Sequence, residues 1–336
     1  MHRPATTEKN QPIPRVELGN TDLRATRLGL GFGVWPLLLS EEKVRKMVQT
    51  ALDLGIRYFD TAPLYHTESI LGRALRDLNV PDDLVIATKA CSYRDDLGID
   101  YQEYSGDTIR SSVERSLDRL GLDQLDILHI HDVMPENLTQ IFSNDGALNA
   151  LQDLKKQGAV RSIGMATYHI ECLLAAIDSG QFDCIQFFHS YTLLNQEAAD
   201  LLIPRAQAAG LSTMNVAPQA GYILASGASD GAMYNYRPAS SEVVASVRRM
   251  EQVCIDKNVV LADVAIAYSL ANPAIDVTVI GADTSELLHR SVRCCELDLT
   301  NQDFLDFLTA AGKSFPLRDP RNGHPCFAGP WNKRHS

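Results

Sequence analysis

Short runs rich in Val, Ile and Leu recur eight times along the chain, at 28–33, 56–60, 84–88, 125–131, 161–166, 183–187, 211–217 and 275–280. Between them lie stretches of helical periodicity. SEEKVRKMVQTALDLG (40–55), TIRSSVERSLDRLG (108–121) and GALNALQDLKKQG (146–158) each close on a glycine, where a left-handed helix C-cap is favoured. Most of the apolar runs are continuous rather than alternating, as in parallel strands buried on both faces. Eight strands alternating with helices predict an α/β fold, and a closed (β/α)8 TIM barrel is its simplest form. The 336 residues suit one such barrel over 15–313, with a flexible N-terminal arm at 1–14 and a C-terminal tail at 314–336 packing near the active-site face. GLGFG at 29–33 invites a doubly wound dinucleotide-binding sheet instead. It lacks the third glycine of that fingerprint, and GVWPLLLS cannot open a helix tightly on the strand.

A formal charge of −11 disfavours a phosphate backbone as partner, so nucleic-acid binding is not expected. No run approaches 18 apolar residues, and MHRPATTEKNQPIPR has no signal-peptide core, so a cytoplasmic protein without a membrane anchor is expected. Seven cysteines without a CxxC pair suggest neither a disulfide framework nor a zinc site, and no metal is expected. Cys294 and Cys295 are expected at a helix end.

In a barrel, the loops leaving the C-terminal ends of the strands carry the chemistry. Asp60, Lys89 and His131 end the second, third and fourth runs, Gln186 ends the sixth, and Tyr65 follows Asp60 by five residues. A tyrosine hydroxyl titrates near 10, and each unit of depression requires about 1.4 kcal/mol of differential stabilisation of the phenolate. A lysine ammonium within reach supplies it. Asp60 would keep Lys89 charged and oriented, and His131 would hold a carbonyl or alcohol oxygen beside Tyr65. The set describes a general acid/base aimed at one C–O bond. His129 points the same way as His131, one layer deeper, and is expected to be a satisfied interior residue.

These residues resemble the aldo-keto reductase superfamily from Leu18 to about Leu308. Gly55-Ile56-Arg57-Tyr58-Phe59-Asp60-Thr61-Ala62, followed by Glu68, Leu71 and Gly72, is similar to its first signature, and LGLGFGVW at 28–35 to its first strand. The resemblance implies a (β/α)8 barrel using NAD(P)(H) without a Rossmann motif, with Asp60, Tyr65, Lys89 and His131 as catalytic tetrad. The chain departs from the family where Ala166 and Thr167 replace the Ser-Asn pair that holds the nicotinamide amide. Gln186 is retained, and Val216 stands where a stacking aromatic is common. Nicotinamide binding then leans on Thr167, Gln186 and shape.

VIGADTSELLHRS (279–291) resembles the family's adenosine-phosphate loop. Gly281, Ala282 and Leu287 stand where NADPH-preferring members carry Lys, Ser and Arg, with Asp283 alongside. A carboxylate there repels a 2′-phosphate and accepts from a free 2′-hydroxyl, so NAD is the expected cofactor over NADP. Arg290 or His289 offers a compensating charge, and Asp283 serves equally as a cap for the helix beginning near Thr284. His131-Asp132 is similar to the aldose 1-dehydrogenases, which oxidise L-galactose, L-fucose or D-arabinose to lactones. The expected partner is therefore a small-molecule sugar, with Trp35, His66, Tyr93 and Trp331 as wall candidates; the oligomeric state is left open. The alternatives are a broad NADPH-dependent aldehyde or ketone reductase, a Schiff-base aldolase on Lys89, and a catalytically vestigial nicotinamide-binding sensor or regulatory subunit.

Overall fold

Eight parallel strands close into a barrel: β1 Leu28–Gly31, β2 Tyr58–Asp60, β3 Val85–Ala90, β4 Leu125–His131, β5 Val160–Thr167, β6 Cys184–Phe188, β7 Ser212–Val216 and β8 Val277–Ile280. Each strand pairs with its neighbours in chain order, and β8 pairs with β1 to complete the ring. The computed structural model describes residues 13–33, 35–94, 100–235 and 237–316, with the backbone alone at Trp35 and Asp100. Most of the expected arm and tail, with Trp331, therefore lies outside the described residues. Ile13, at the end of the arm, is buried.

The continuous apolar runs have a simple cause. Leu30, Phe59, Ile86, Leu128, Ile163 and Ile185 point outward into the core between barrel and helices. Their neighbours Tyr58, Val85, Ala87, Ile127 and Cys184 point inward and pack with Met214, Val277 and Val279. Both faces of every strand are thus buried, which removes the alternation a one-sided sheet would show. Gly29 faces the interior, where an added Cβ would stand 2.7 Å from the Tyr58 ring. The glycine-rich first strand makes room for a large interior side chain and holds no pyrophosphate turn.

A hairpin, Arg15–Glu17 with Arg24–Thr26, precedes the barrel. Leu18, Leu23 and Ala25 from this hairpin join the interior cluster and plug the N-terminal end of the barrel. Helices Glu41–Asp53, Glu68–Arg76, Gly106–Leu120, Ala147–Lys156, Ile170–Ser179, Leu202–Ala208, Leu261–Ala271 and Ser285–Arg293 follow the strands in turn. Two more, Ser241–Lys257 and Asn301–Ala311, pack beside the barrel. Cys294 and Cys295 sit in the 3-10 turn that ends helix Ser285–Arg293, as expected.

The opposite end of the barrel carries the long connections. The one after β3 folds into a hairpin, Ser92–Arg94 with Asp100–Gln102. The one after β7 places Ala217, Ala220, Tyr222 and Asn235 at positive φ. Four non-glycine residues in left-handed backbone, each costing of order 1 kcal/mol, mark a loop shaped by something other than its own comfort. No helix among the described residues is long and apolar enough to cross a membrane.

Candidate active site

Inward-facing positions at the C-terminal ends of β2, β3 and β4 converge. Asp60, Lys89 and His131 are buried there, and Lys89 donates to Asp60 Oδ1 at 2.6 Å and to the Thr61 carbonyl at 2.9 Å. Burial pushes the Asp60 carboxyl up from its ordinary value, while the Lys89 ammonium and the Gln186 amide pull it back. The pair is therefore held by its partners against a desolvation cost, and removing either one strands the other.

Tyr65 arrives from a different direction. It ends a 3-10 turn, Pro63–Tyr65, and His66 follows in left-handed conformation at φ 57°. The Thr67 hydroxyl donates to the Phe32 carbonyl at 2.5 Å and lies 2.9 Å from the Thr61 hydroxyl, so the loop is pinned on both sides of the tyrosine. Its hydroxyl is 3.4 Å from His131 Nε2, and the two rings meet edge to face at 5.6 Å. Lys89 Nζ stands 4.9 Å from the centre of the Tyr65 ring. The four residues that strand-end reasoning picked out thus form one cluster, with a half-buried phenol at its surface and an ammonium beneath it.

His129 lies one layer down and is fully buried. Burial, Lys89 and His131 hold its imidazole well below its ordinary value, so it is neutral. The expectation of a satisfied interior histidine needs correcting: neither ring nitrogen has a hydrogen-bond partner. Gly164 leaves space for it, since a Cβ there would stand 2.4 Å from Nδ1. Lys89 and His131 make its charging costly, and the facing glycine offers no side-chain acceptor.

The expected cofactor contacts divide. Gln186 is buried on β6, and its Oε1 has no protein partner, so a carboxamide N–H donor fits there. Thr167 is already engaged: its hydroxyl donates to the Val133 carbonyl at 2.8 Å and accepts from the His169 amide at 3.2 Å. Past β8, Gly281 and Asp283 are exposed. Thr284, not Asp283, caps helix Ser285–Arg293 by accepting from the Leu287 amide, which leaves the aspartate without that duty. Arg290 is bound to Asp263 at 2.6 Å.

The wall candidates divide as well. His66 and Tyr93 line a cleft of about 340 Å³ with Tyr101, Arg94, Arg115 and Arg119, and no tetrad residue lines it. The Tyr93 hydroxyl accepts from the Cys91 amide at 3.0 Å. The side chain of Trp35 and all of Trp331 lie outside the described residues. Sequence reasoning missed the supports: Thr61 and Thr67 around Tyr65, and Ser92 and Tyr104, which hydrogen-bond the Oδ2 and the carbonyl of Asp132 at 3.0 Å each. Threonines and serines beside a strand end carry no periodic signal, and only the closed barrel brings residues from different strands together.

The model of the aldo/keto reductase family matches residues 28–308. L-galactose dehydrogenase of Arabidopsis thaliana is 32% identical over 287 residues, 82% of this chain and 86% of that protein. Pyridoxal 4-dehydrogenase of Microbacterium luteolum is 27% identical, covering 82% of this chain and 91% of that protein. D-threo-aldose 1-dehydrogenase of a Pseudomonas species is 27% identical, covering 78% and 85%.

Proposed function

Because the chain belongs to the aldo/keto reductase family and is an oxidoreductase of CH–OH and carbonyl groups, we propose that it oxidises the C1 hydroxyl of an aldose to a lactone with NAD as the preferred cofactor. The observation that carries the chemistry is the Tyr65 hydroxyl, 3.4 Å from His131 Nε2 and seated over the Lys89 ammonium. The sugar assignment draws on the two aldose dehydrogenases among the relatives. Pyridoxal 4-dehydrogenase, 27% identical like the second of these, is named for a different substrate, so the substrate test matters.

In this reading the anomeric oxygen lies between the Tyr65 hydroxyl and His131 Nε2. Tyr65, as phenolate, takes the anomeric proton, and the ammonium of Lys89 stabilises that phenolate. Asp60 keeps Lys89 charged and fixes where its Nζ points. His131 donates to the reacting oxygen and orients it. The nicotinamide, when bound, supplies the hydride acceptor. Gln186 Oε1 would accept from its carboxamide and so set which face meets the sugar, while Thr167, its hydroxyl engaged, would contribute shape. Asp283 favours a free ribose hydroxyl over a phosphate, and Arg290, held by Asp263, is poorly placed to reverse that.

Steady-state oxidation of L-galactose, L-fucose and D-arabinose with NAD and NADP, beside reduction of simple aldehydes with NADH and NADPH, tests the proposal. It predicts aldose oxidation with a higher kcat/KM for NAD. Aldehyde reduction driven by NADPH without detectable aldose oxidation would replace it with the broad-reductase alternative.

A further inference from the structure

The cleft that Pro63 and His66 share with the outer helices is cationic, in a chain whose formal charge is −11. Three arginines line it, Arg94, Arg115 and Arg119, and Glu68 is its one carboxylate among the described residues. That carboxylate is buried and already engaged: it accepts from the Thr88 hydroxyl at 2.7 Å and from Arg119 at 3.1 Å. Arg94 has partners of its own, so the weight falls on helix Gly106–Leu120. Ser112, Arg115 and Arg119 stand three and four residues apart on that helix and share the face turned to the cleft. Arg119 gives one donor to Glu68 and is still 38% exposed. Arg115 has no ion-pair partner among the described residues, and its hydrogen bond goes to the Ser111 hydroxyl one turn back, at 2.5 Å. Two neighbouring guanidinium groups with one carboxylate between them leave a positive charge without its complement.

We propose that this cleft binds a phosphate group between the guanidinium heads of Arg115 and Arg119. Guanidinium donors lie in a rigid plane and pair bidentately with phosphate oxygens. Residues four apart on a helix have Cβ atoms about 5–6 Å apart, so both heads reach one tetrahedral anion. Ser69 lines the same cleft and adds a hydroxyl in the first turn of helix Glu68–Arg76, at the positive end of its dipole. Thr67 makes no side-chain cap for that turn, because its hydroxyl donates to the Phe32 carbonyl. At about 340 Å³ the cleft is as large as a small-molecule pocket, with room for more than the anion. The rings of Tyr93 and Tyr101, 5.5 Å between centroids, form a wall for an organic remainder, which favours a small phosphate monoester over free phosphate. Neither the tetrad nor Gln186, Asp283 or Arg290 lines the cleft, so a ligand held there leaves the reacting centre and the expected cofactor contacts open. The site is independent of which alcohol the tetrad oxidises.

The test is calorimetric titration of the full-length enzyme, at fixed ionic strength, with glycerol 3-phosphate, inorganic phosphate and glycerol. Glycerol 3-phosphate is expected to bind saturably with a Kd below about 1 mM, and glycerol not to bind. Arg115→Ala weakens the binding by about 10-fold or more, Arg115→Lys by a smaller factor, and Arg115→Glu abolishes it. The Arg115 side chain is exposed, so these variants should melt within a few degrees of the wild type, and the melts separate lost binding from misfolding. Tighter binding of glycerol 3-phosphate than of inorganic phosphate identifies a monoester as the ligand, equal affinity identifies free phosphate, and either result supports a phosphate site at Arg115. Saturable binding of neither anion would overturn the proposal. So would binding that both Arg115→Ala and Arg115→Glu leave unchanged, since the anion would then sit elsewhere.

Discussion

In the proposed chemistry Lys89 carries two burdens at once, supporting the Tyr65 phenolate and pairing with the buried Asp60 carboxylate. Lys89→Met is expected to abolish turnover and to destabilise the fold by about 3–5 kcal/mol, because Asp60 is left charged and unpaired in the interior. Chemical denaturation measures the loss, and Asp60→Asn in the same chain should recover part of the stability but none of the activity. Tyr65→Phe should remove turnover by several orders of magnitude while cofactor affinity, read by fluorescence titration, stays within a few-fold. Unchanged turnover would take Tyr65 out of the acid/base role. At this scale the tetrad was legible because polar residues ending apolar runs stand out without an alignment. The engaged hydroxyl of Thr167 and the role of Thr284 as cap were not, since each depends on a backbone group brought near by folding.

Elements read well where their pattern was long and poorly where it was short or uniform. All eight barrel strands fall within or against the expected runs, since each is bounded by a turn or a helix of clear periodicity. The plugging hairpin has two three-residue strands, below the length at which alternation means anything. Helix Leu261–Ala271 lies between the barrel and its outer helices and is apolar nearly all round, so it offers no amphipathic stripe. Helix Asn301–Ala311 begins with a capping box in which Thr300 and Asp303 satisfy each other's backbone amides. Lys257 reaches across to Asp303 and Asp306, and it depresses the Asp303 carboxyl more than any other group does, with Thr300 adding to the effect. A depressed carboxyl stabilises the fold above its unfolded value near 3.8, and that contribution is lost as the pH falls through its folded value. Thr300→Ala should cost about 1 kcal/mol at neutral pH. The cost should shrink on acidification below about pH 4, as thermal melts across that range would show.

For the whole molecule, the eight strands close into one barrel across the described residues, and the candidate site at its mouth gathers one lysine, one aspartate, one histidine and one tyrosine. Its interior has a pH signature of its own. His129 is held neutral below the value, near 6.5, at which the unfolded chain would protonate it. Below about pH 6.5 the unfolded state therefore binds the extra proton, and stability falls as the pH falls. His129→Gln should flatten the dependence of melting temperature on pH between about 6.5 and 5, without moving the acid limb set by the carboxylates. An unaltered slope would place the sensitivity elsewhere.

The central claim is direct hydride transfer from C1 of an aldose under control of Tyr65. An aldose deuterated at C1, incubated with NAD and followed by NMR, tests it most directly. The account predicts deuterium at C4 of the reduced nicotinamide and lactone as the product, both absent with Tyr65→Phe. Reduced cofactor without deuterium, or lactone formed equally well by Tyr65→Phe, would contradict it.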